Sequence, residues 1–481
     1  MSLRRPALEP VAAVGVLALV AVLVQLLSPS PFDADSYYHL AVARLIAKHG
    51  LLQAFPWTPF SWLADHYADK ELVFHLLLLP VASLPVATAA KIGGAFFGTL
   101  LLAAIFFVLR AEKAPAPLVW TLSTLAGSAL FVLRFSLLRP HLLAIALALG
   151  VTWAAARRRW TLLAALSFAY PLCYTAFHTA LVLVLIVAAA SLLAERRLEW
   201  RGVAACAAGL AAGLLVHPNF PEILAFWKIQ NVDVLSTAWA GSAGFELGQE
   251  FGPLGLGDLV RHAPLPAVAT AAALVLVART SSRQTVPLSF ALAAASFAIL
   301  SLASARFVEY WAPFSCVALA LAAGERLSRP AASGAVLAAF AFLLAFGRSP
   351  IEQLTKRGDD LPAPVAEALA ARIPVDAQVF TCNWGLTGEL MIALPERRFM
   401  VALDPVLFFK KDPGLYREWF ELTHRPPPRP SQPIRERFGA RYVLCERSPR
   451  WRSFIGAMEA DPGARALFRS PLWYAAELPL P

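Results

Sequence analysis

The sequence predicts a polytopic α-helical membrane protein, with about 11 spans and a small C-terminal α/β domain outside the cytoplasm. Three observations carry this. Of the 481 residues, 58% are hydrophobic and only 15% charged, with mean hydropathy +0.60, whereas soluble domains are nearer one quarter charged. Long apolar runs recur through most of the chain. After Gly347 the composition turns rich in Pro, Arg and charge, with no further spanning run. The expected division is therefore a membrane domain over 1–347 and an extracytoplasmic α/β domain over 348–481.

The first run, about Val11 to Leu27, is long enough to cross a bilayer. It reads as a retained span, because Pro29-Ser30-Pro31 lacks the small-residue pattern of a cleaved signal. Further runs fall near 92–109, 118–133, 141–156, 161–176, 178–194, 202–216, 264–278, 286–303, 309–323 and 331–346. Basic residues orient them. Arg4, Arg5, Arg110, Lys113, Arg157 to Arg159, Arg196 to Arg201, Arg279 to Arg283 and Arg326 to Arg329 all sit in short connections, which the positive-inside bias places in the cytoplasm. The outer loop 29–91, Arg139-Pro140-His141, the Tyr174–His178 turn, the outer loop 217–263 and Arg306 to Trp311 then face the other side. Residues 71–90 are apolar but carry Glu71, His75, Pro80 and Pro85. They are expected as a re-entrant or interface-lying helix, with a tilted full span as the alternative.

In the tail, strands are expected at Gln378–Thr381, Phe399–Leu403 and Tyr442–Leu444, with helices at 361–372, 413–423 and 452–459. Of five cysteines, Cys173, Cys206 and Cys316 lie in spans and read as packing residues. Two separate buried thiols are the expectation for Cys382 and Cys445, with a disulfide as the alternative. The net charge of +10 matches an anionic inner leaflet and not a nucleic-acid partner.

The chemistry concentrates in the first outer loop. Asp33 and Asp35 stand where the first span meets water, followed by Tyr37, Tyr38 and His39. Carboxylates two apart suit a shared divalent cation, or a base with a supporting acceptor; helix capping by Asp35 or Ser36 is the structural alternative. Asp33 and Asp35 are the expected catalytic and metal-binding pair. His66, Asp69 and His75 continue the loop as expected binding residues. From later loops come Arg139, His141, His178, His217 and Arg306. The arginines there run against the positive-inside bias and suit an anionic ligand. Glu250, in a Gly-rich stretch that reads as a mobile cover, is the expected distant acid.

Asp35-Ser36-Tyr37-Tyr38-His39, with Arg44 and His49-Gly50 beyond it, resembles the first-loop segment of oligosaccharyltransferase catalytic subunits. These are GT-C integral membrane glycosyltransferases. The layout is similar to bacterial members that use polyprenyl-phosphate sugars, with Asp69-Lys70-Glu71-Leu72 where those carry a second loop motif. The resemblance implies that Asp35 helps hold a metal, Mg or Mn, and that His39 and Arg44 serve the substrate. The loops near 134–141 and 170–178 lack the second acidic pair of oligosaccharyltransferases, and the tail lacks their Trp-Trp-Asp signature. The expected activity is therefore transfer of a sugar from a polyprenyl-phosphate donor to a glycan, lipid or protein acceptor, at a bacterial inner membrane. The alternatives are a transporter or flippase of lipid-linked saccharide, or a catalytically silent membrane scaffold.

Overall fold

The computed structural model describes residues 8–28, 33–234, 252–255, 257–259, 263–280, 284–324, 334 and 361–479. Glu250 and the 331–346 run, apart from Gly334, lie outside them. The bundle is built from α1 (Leu8–Gln25), α2 (Ala34–His49), α3 (Leu72–Leu78), α4 (Val86–Ala111), α5 (Pro117–Ala126), α6 (Ala129–Ser136), α7 (His141–Ala156), α8 (Trp160–Cys173), α9 (His178–Glu195), α10 (Trp200–Leu215), α11 (Glu222–Lys228), α12 (Pro264–Arg279), α13 (Thr285–Ala303) and α14 (Val308–Ala323). Among the described residues, α4, α9 and α13 are each long and apolar enough to cross a membrane, and α5 with α6 makes a fourth if the pair is one span. The other apolar helices are shorter.

Two segments differ from expectation. The 71–90 stretch is divided: α3 and a 3-10 turn at Leu79–Val81 occupy its first half, and its end opens α4. Seven helical residues rise only about 10 Å, so α3 cannot span. Pro80 and Pro85 separate it from α4, since proline removes a donor and blocks the preceding turn. The 118–133 run breaks at Gly127-Ser128, where α5 and α6 meet at 94°. Ser128 caps α6 by accepting from Phe131 N at 3.2 Å, which supplies a helix start within the apolar run.

Charge separates along the bundle. Helix α7 runs from His141 to Ala156, about 24 Å at 1.5 Å per residue. At its far end Arg157 donates from Nε to Glu112 at 2.7 Å, and Arg158 pairs with Glu195 and Glu199. Arg110 meets Glu9 at 3.5 Å. At its near end lie Arg139, Asp33 and Asp35.

The C-terminal sheet has strands β1 (Val379–Thr381), β2 (Tyr442–Glu446), β3 (Arg465–Arg469) and β4 (Trp473–Glu477) in the order β1-β2-β4-β3. Strands β1 and β2 are parallel and the other pairs antiparallel. Helices over Ala363–Ala370, Pro413–His424 and Arg452–Ala460 lie close to the expected ranges. Phe399–Leu403 is not a strand: Phe399 N donates to Trp57 O at 2.8 Å, so this backbone is spent on the first loop instead of the sheet. The two last strands carry alanines and terminal charges, which weaken the strand signal. Parallel pairing sets Thr381 beside Leu444. The next residues, Cys382 and Cys445, then face each other, with Cα atoms 5.5 Å apart, and are disulfide-bonded. The expectation of separate thiols is thereby corrected.

This sheet domain docks on the first loop. One apolar core joins Tyr38, Val42 and Phe55 to Leu390, Phe399 and Phe408. Phe60 packs on Phe408 and Phe438. Lys411 pairs with Asp65 at 2.7 Å, and Lys410 with Asp233 at 2.7 Å. Gly388 lies so close to α2 that a Cβ there would sit 2.5 Å from Tyr38 N.

Candidate functional site

The site begins with Asp33. Its side chain caps α2, accepting from Ser36 N at 3.3 Å and from the Ser36 hydroxyl. The cap is therefore Asp33, two residues before Asp35 and three before Ser36. Gly50, at φ +77°, closes α2 by donating to Ile46 O, a left-handed position that suits glycine. Between these ends, residues 36–43 are all buried, because the bundle covers one side of α2 and the C-terminal domain the other.

Arg139, just before α7, binds both first-loop acids. Its Nε donates to Asp33 Oδ2 at 2.7 Å, and its Nη2 lies 3.2 Å from Asp35 Oδ2. The guanidinium fork thus holds the pair that the sequence assigned to a metal. Asp35 remains the more open of the two, with its side chain 32% exposed against 9% for Asp33.

A second chain of polar groups lies behind α2. His39 Nδ1 and His75 Nε2 are 2.9 Å apart, and His75 Nδ1 lies 2.8 Å from Asp69 Oδ1. Glu71 Oε2 is 3.6 Å from His39 Nδ1, while Glu71 Oε1 accepts from Lys70 Nζ. Burial pushes His39 well below the usual histidine range, and His75, Lys70 and Arg139 add to this, so its ring is neutral. Burial acts to raise Asp69, but His75 outweighs it and the carboxyl stays below its ordinary value.

These residues meet in a cavity of about 70 Å³ whose walls include Asp35, His39, Lys70, Glu71, Arg139, His141, Tyr174, Arg306 and Asp404. Arg306 Nη2 donates to Tyr174 Oη at 2.9 Å. Arg306 Nε is 3.8 Å from Glu309, whose tighter partner is Arg134, at 2.8 and 3.0 Å. His141 Nε2 donates to Arg134 O at 3.0 Å. The bundle thus brings together Asp35, His39, Arg139, His141 and Arg306 of the residues expected from sequence, with Asp33 held behind Arg139, and Asp69 and His75 behind His39.

Four expected residues stand apart from the cavity walls. Arg44 donates to Ala82 O at 2.8 Å and Leu84 O at 3.0 Å, satisfying the turn before α4. His66 stacks on Trp62 and approaches Glu222 at 3.5 Å. His178 Nδ1 accepts from Trp227 Nε1 at 3.1 Å. His217 donates to Asp69 O at 3.0 Å, and Asn219 Oδ1 accepts from Asp69 N at 3.0 Å. His217-Pro218-Asn219 therefore pins the loop that presents Asp69, Lys70 and Glu71.

Asp404 is the acid that sequence reading missed. It follows Leu403, which has φ +69°, and its Oδ1 accepts from Val406 N at 2.8 Å, a turn that starts the Val406–Lys411 helix. Burial raises its pKa to about 6; the Val406 bond opposes the shift and nearby Asp35 adds to it. The signal available was an acid ending an apolar run, before a proline.

No protein-family model and no curated protein sequence matches the chain. Solved structures do match in fold. The oligosaccharyltransferase of Archaeoglobus fulgidus in its apo form aligns at TM-score 0.66 and 14% identity, over 91% of this chain and 69% of that one. ArnT from Cupriavidus metallidurans aligns at TM-score 0.60 and 14% identity, over 98% of each chain. Arabinofuranosyltransferase AftD from Mycobacteria aligns at TM-score 0.60 and 17% identity, over 97% of this chain but 40% of that one. The archaeal enzyme is also known with an inhibitory peptide and dolichol-phosphate, and with Zn and sulfate. The chain shares its fold with these GT-C membrane glycosyltransferases, and a shared fold does not by itself assign chemistry.

Proposed function

We propose that the protein transfers a sugar from a polyprenyl-phosphate donor to a glycan, lipid or protein acceptor at the non-cytoplasmic face of a membrane, in a bacterium the inner membrane. The observation that carries this reading is the joint cavity. Carboxylates from α2, the 65–71 loop and the C-terminal domain meet Lys70 of that same loop and arginines from two other loops at one end of an apolar bundle. Arg139, Arg306 and Lys70 supply the positive charge that a departing polyprenyl phosphate needs. The isoprenoid chain would lie between helices; an apolar cavity of about 220 Å³ between α5, α12 and α14 has the right character. The dolichol-phosphate bound by the archaeal enzyme of the same fold fits this donor class.

In the proposed step the bond from the anomeric carbon to the donor phosphate oxygen breaks, and a bond from that carbon to the acceptor heteroatom forms. The acceptor proton passes to Asp404, whose pKa of about 6 suits a base working near neutrality. Asp33 and Asp35 position Arg139. The basic loops at the far end of α7 and the Cys382–Cys445 disulfide support this side of the membrane, since such bonds persist in oxidising compartments.

Purified protein is to be incubated with radiolabelled polyprenyl-phosphate sugars and a panel of acceptors. The expected result is donor-dependent transfer that falls ~10²–10³-fold in Asp404→Asn and in Arg306→Lys. Transfer unchanged in both variants removes the catalytic assignment. Labelling of a cysteine placed at exposed Val375 from the cytoplasmic side removes the topology.

A further inference from the structure

We propose that His39, Glu71 and His75 form a binding site for one divalent first-row transition-metal ion, best matched by Zn²⁺, beside the cavity. The two imidazoles and the carboxylate come from α2 and from the start and middle of α3, and all are buried. One ligand atom from each lies within 4.8 Å of the other two. Glu71 and His75 are four residues apart around the first turn of α3, with His75 N donating to Glu71 O at 3.0 Å, so both side chains share one helix face.

Two further observations point to an ion. Asp69 accepts from His75 Nδ1 at 2.8 and 3.0 Å. This fixes the tautomer and turns the Nε2 lone pair toward the cluster, the outer-shell arrangement typical of histidine ligands. Glu71 Oε2 is buried and makes no hydrogen bond; its 3.6 Å separation from His39 Nδ1 is too long for one. A buried carboxylate oxygen left unsatisfied is costly, and a cation bound there would satisfy it.

The donor set selects the metal. Two imidazole nitrogens and one carboxylate suit Zn²⁺ and its neighbours, whereas Mg²⁺ and Ca²⁺ take oxygen ligands. Three protein ligands leave a fourth tetrahedral position open. His39 and Glu71 both line the cavity, so that position faces it. His39 Nδ1 and His75 Nε2 stand 2.9 Å apart; tetrahedral bonds of about 2.0–2.1 Å imply roughly 3.3 Å between ligand nitrogens. The two rings therefore have to part by only a few tenths of an ångström. Asp33 and Asp35 offer no comparable set: Arg139 and Ser36 engage both oxygens of Asp33, Arg139 engages Oδ2 of Asp35, and neither acid has an imidazole partner in these contacts.

The site stands or falls independently of sugar transfer, so it is tested by binding alone. Full-length protein in detergent, freed of any affinity tag and of metal, is titrated with Co²⁺ and Zn²⁺. Absorption in the visible ligand-field bands and competition with a chromophoric chelator give stoichiometry and affinity. The expected result is one ion per chain, with intense tetrahedral-type Co²⁺ bands that Zn²⁺ abolishes. Glu71→Gln, which keeps shape, and His75→Gln should lose the stoichiometric ion. Asp69→Asn should weaken it ~10–100-fold. His178→Ala, outside the cluster, should bind as wild type, and monodisperse elution of each variant checks folding. Wild-type binding no tighter than that of Glu71→Gln, or bands that Glu71→Gln leaves unchanged, overturns the proposal.

Discussion

Gly388→Ala should loosen the C-terminal domain from the first loop, and with it the wall that carries Asp404. A Cβ at this position would lie 2.5 Å from Tyr38 N, 2.8 Å from Tyr38 Cα and 2.9 Å from Ala34 O. All three are backbone atoms of α2, so no side-chain rotation relieves them. Overpacking of this kind costs roughly 1–3 kcal/mol, and rigid neighbours place it at the upper end. Replacing a helical glycine by alanine returns about 1 kcal/mol. The net is about 2 kcal/mol, or roughly 30-fold in the equilibrium for local opening. Hydrogen exchange reads this directly: amides of α2 and of Thr387–Ala393 should exchange about 30-fold faster in the variant. Gly456→Ala is the control, because a Cβ there meets nothing within 4 Å and should stabilise its helix slightly. Unchanged protection in Gly388→Ala would refute the docking of this domain on α2, and so the shared cavity. Equal loss in Gly456→Ala would trace the effect to the domain itself.

Asp404 is held at about pH 6 against an ordinary 3.8, so its native state keeps a proton that the unfolded chain releases earlier. Stability contributed by this group is fully present below pH 4 and is lost as pH rises to 6; Asp404→Asn should recover on the order of 3 kcal/mol at pH 7. Transfer activity, needing the ionised base, should rise with pH through about 6 in wild type, and Asp404→Asn should be slow with that limb gone. Arg134→Met strands the buried Glu309 carboxylate and should cost ~3–5 kcal/mol; adding Glu309→Gln should restore part of it in thermal melts. Removing the Cys382–Cys445 bond, which closes a 63-residue separation, should cost about 4 kcal/mol by loop entropy. An unchanged melting temperature of the Cys382→Ser/Cys445→Ser protein would contradict that bond.

Features that depend on neighbours along the chain were legible from the residues alone. Hydrophobic runs locate the long apolar helices of the bundle up to Ala323 but not α2 or α11, because crossing apolar surroundings requires a contiguous apolar stretch whose backbone bonds itself. The division of basic from acidic loops marks the two ends of the bundle. The first-loop pattern around Asp35 announced the fold, and Arg139 and Arg306 stood out as arginines in loops that the positive-inside bias did not account for. Pattern also located the tail helices Ala363–Ala370, Pro413–His424 and Arg452–Ala460, since period 3.6 survives in an amphipathic segment.

The pairings, by contrast, arise from packing between distant elements. Nothing near Asp33 in sequence says that Arg139, 106 positions on, will contact both first-loop acids. Asp404 enters the cavity because Phe399 hydrogen-bonds to Trp57 and Gly388 lets the domain close on α2. Arg44, His66, His178 and His217 carry functional residue types, but folding sets each away from the cavity walls and beside a carbonyl, an aromatic ring or a carboxylate. The 94° turn between α5 and α6 and the Cys382–Cys445 bond follow likewise from contacts across the fold. A residue's type and its apolar neighbours are local properties, but the partner that satisfies a buried charge is fixed only when distant elements pack. Hydropathy could therefore draw the bundle, while the site inside it waited on the fold.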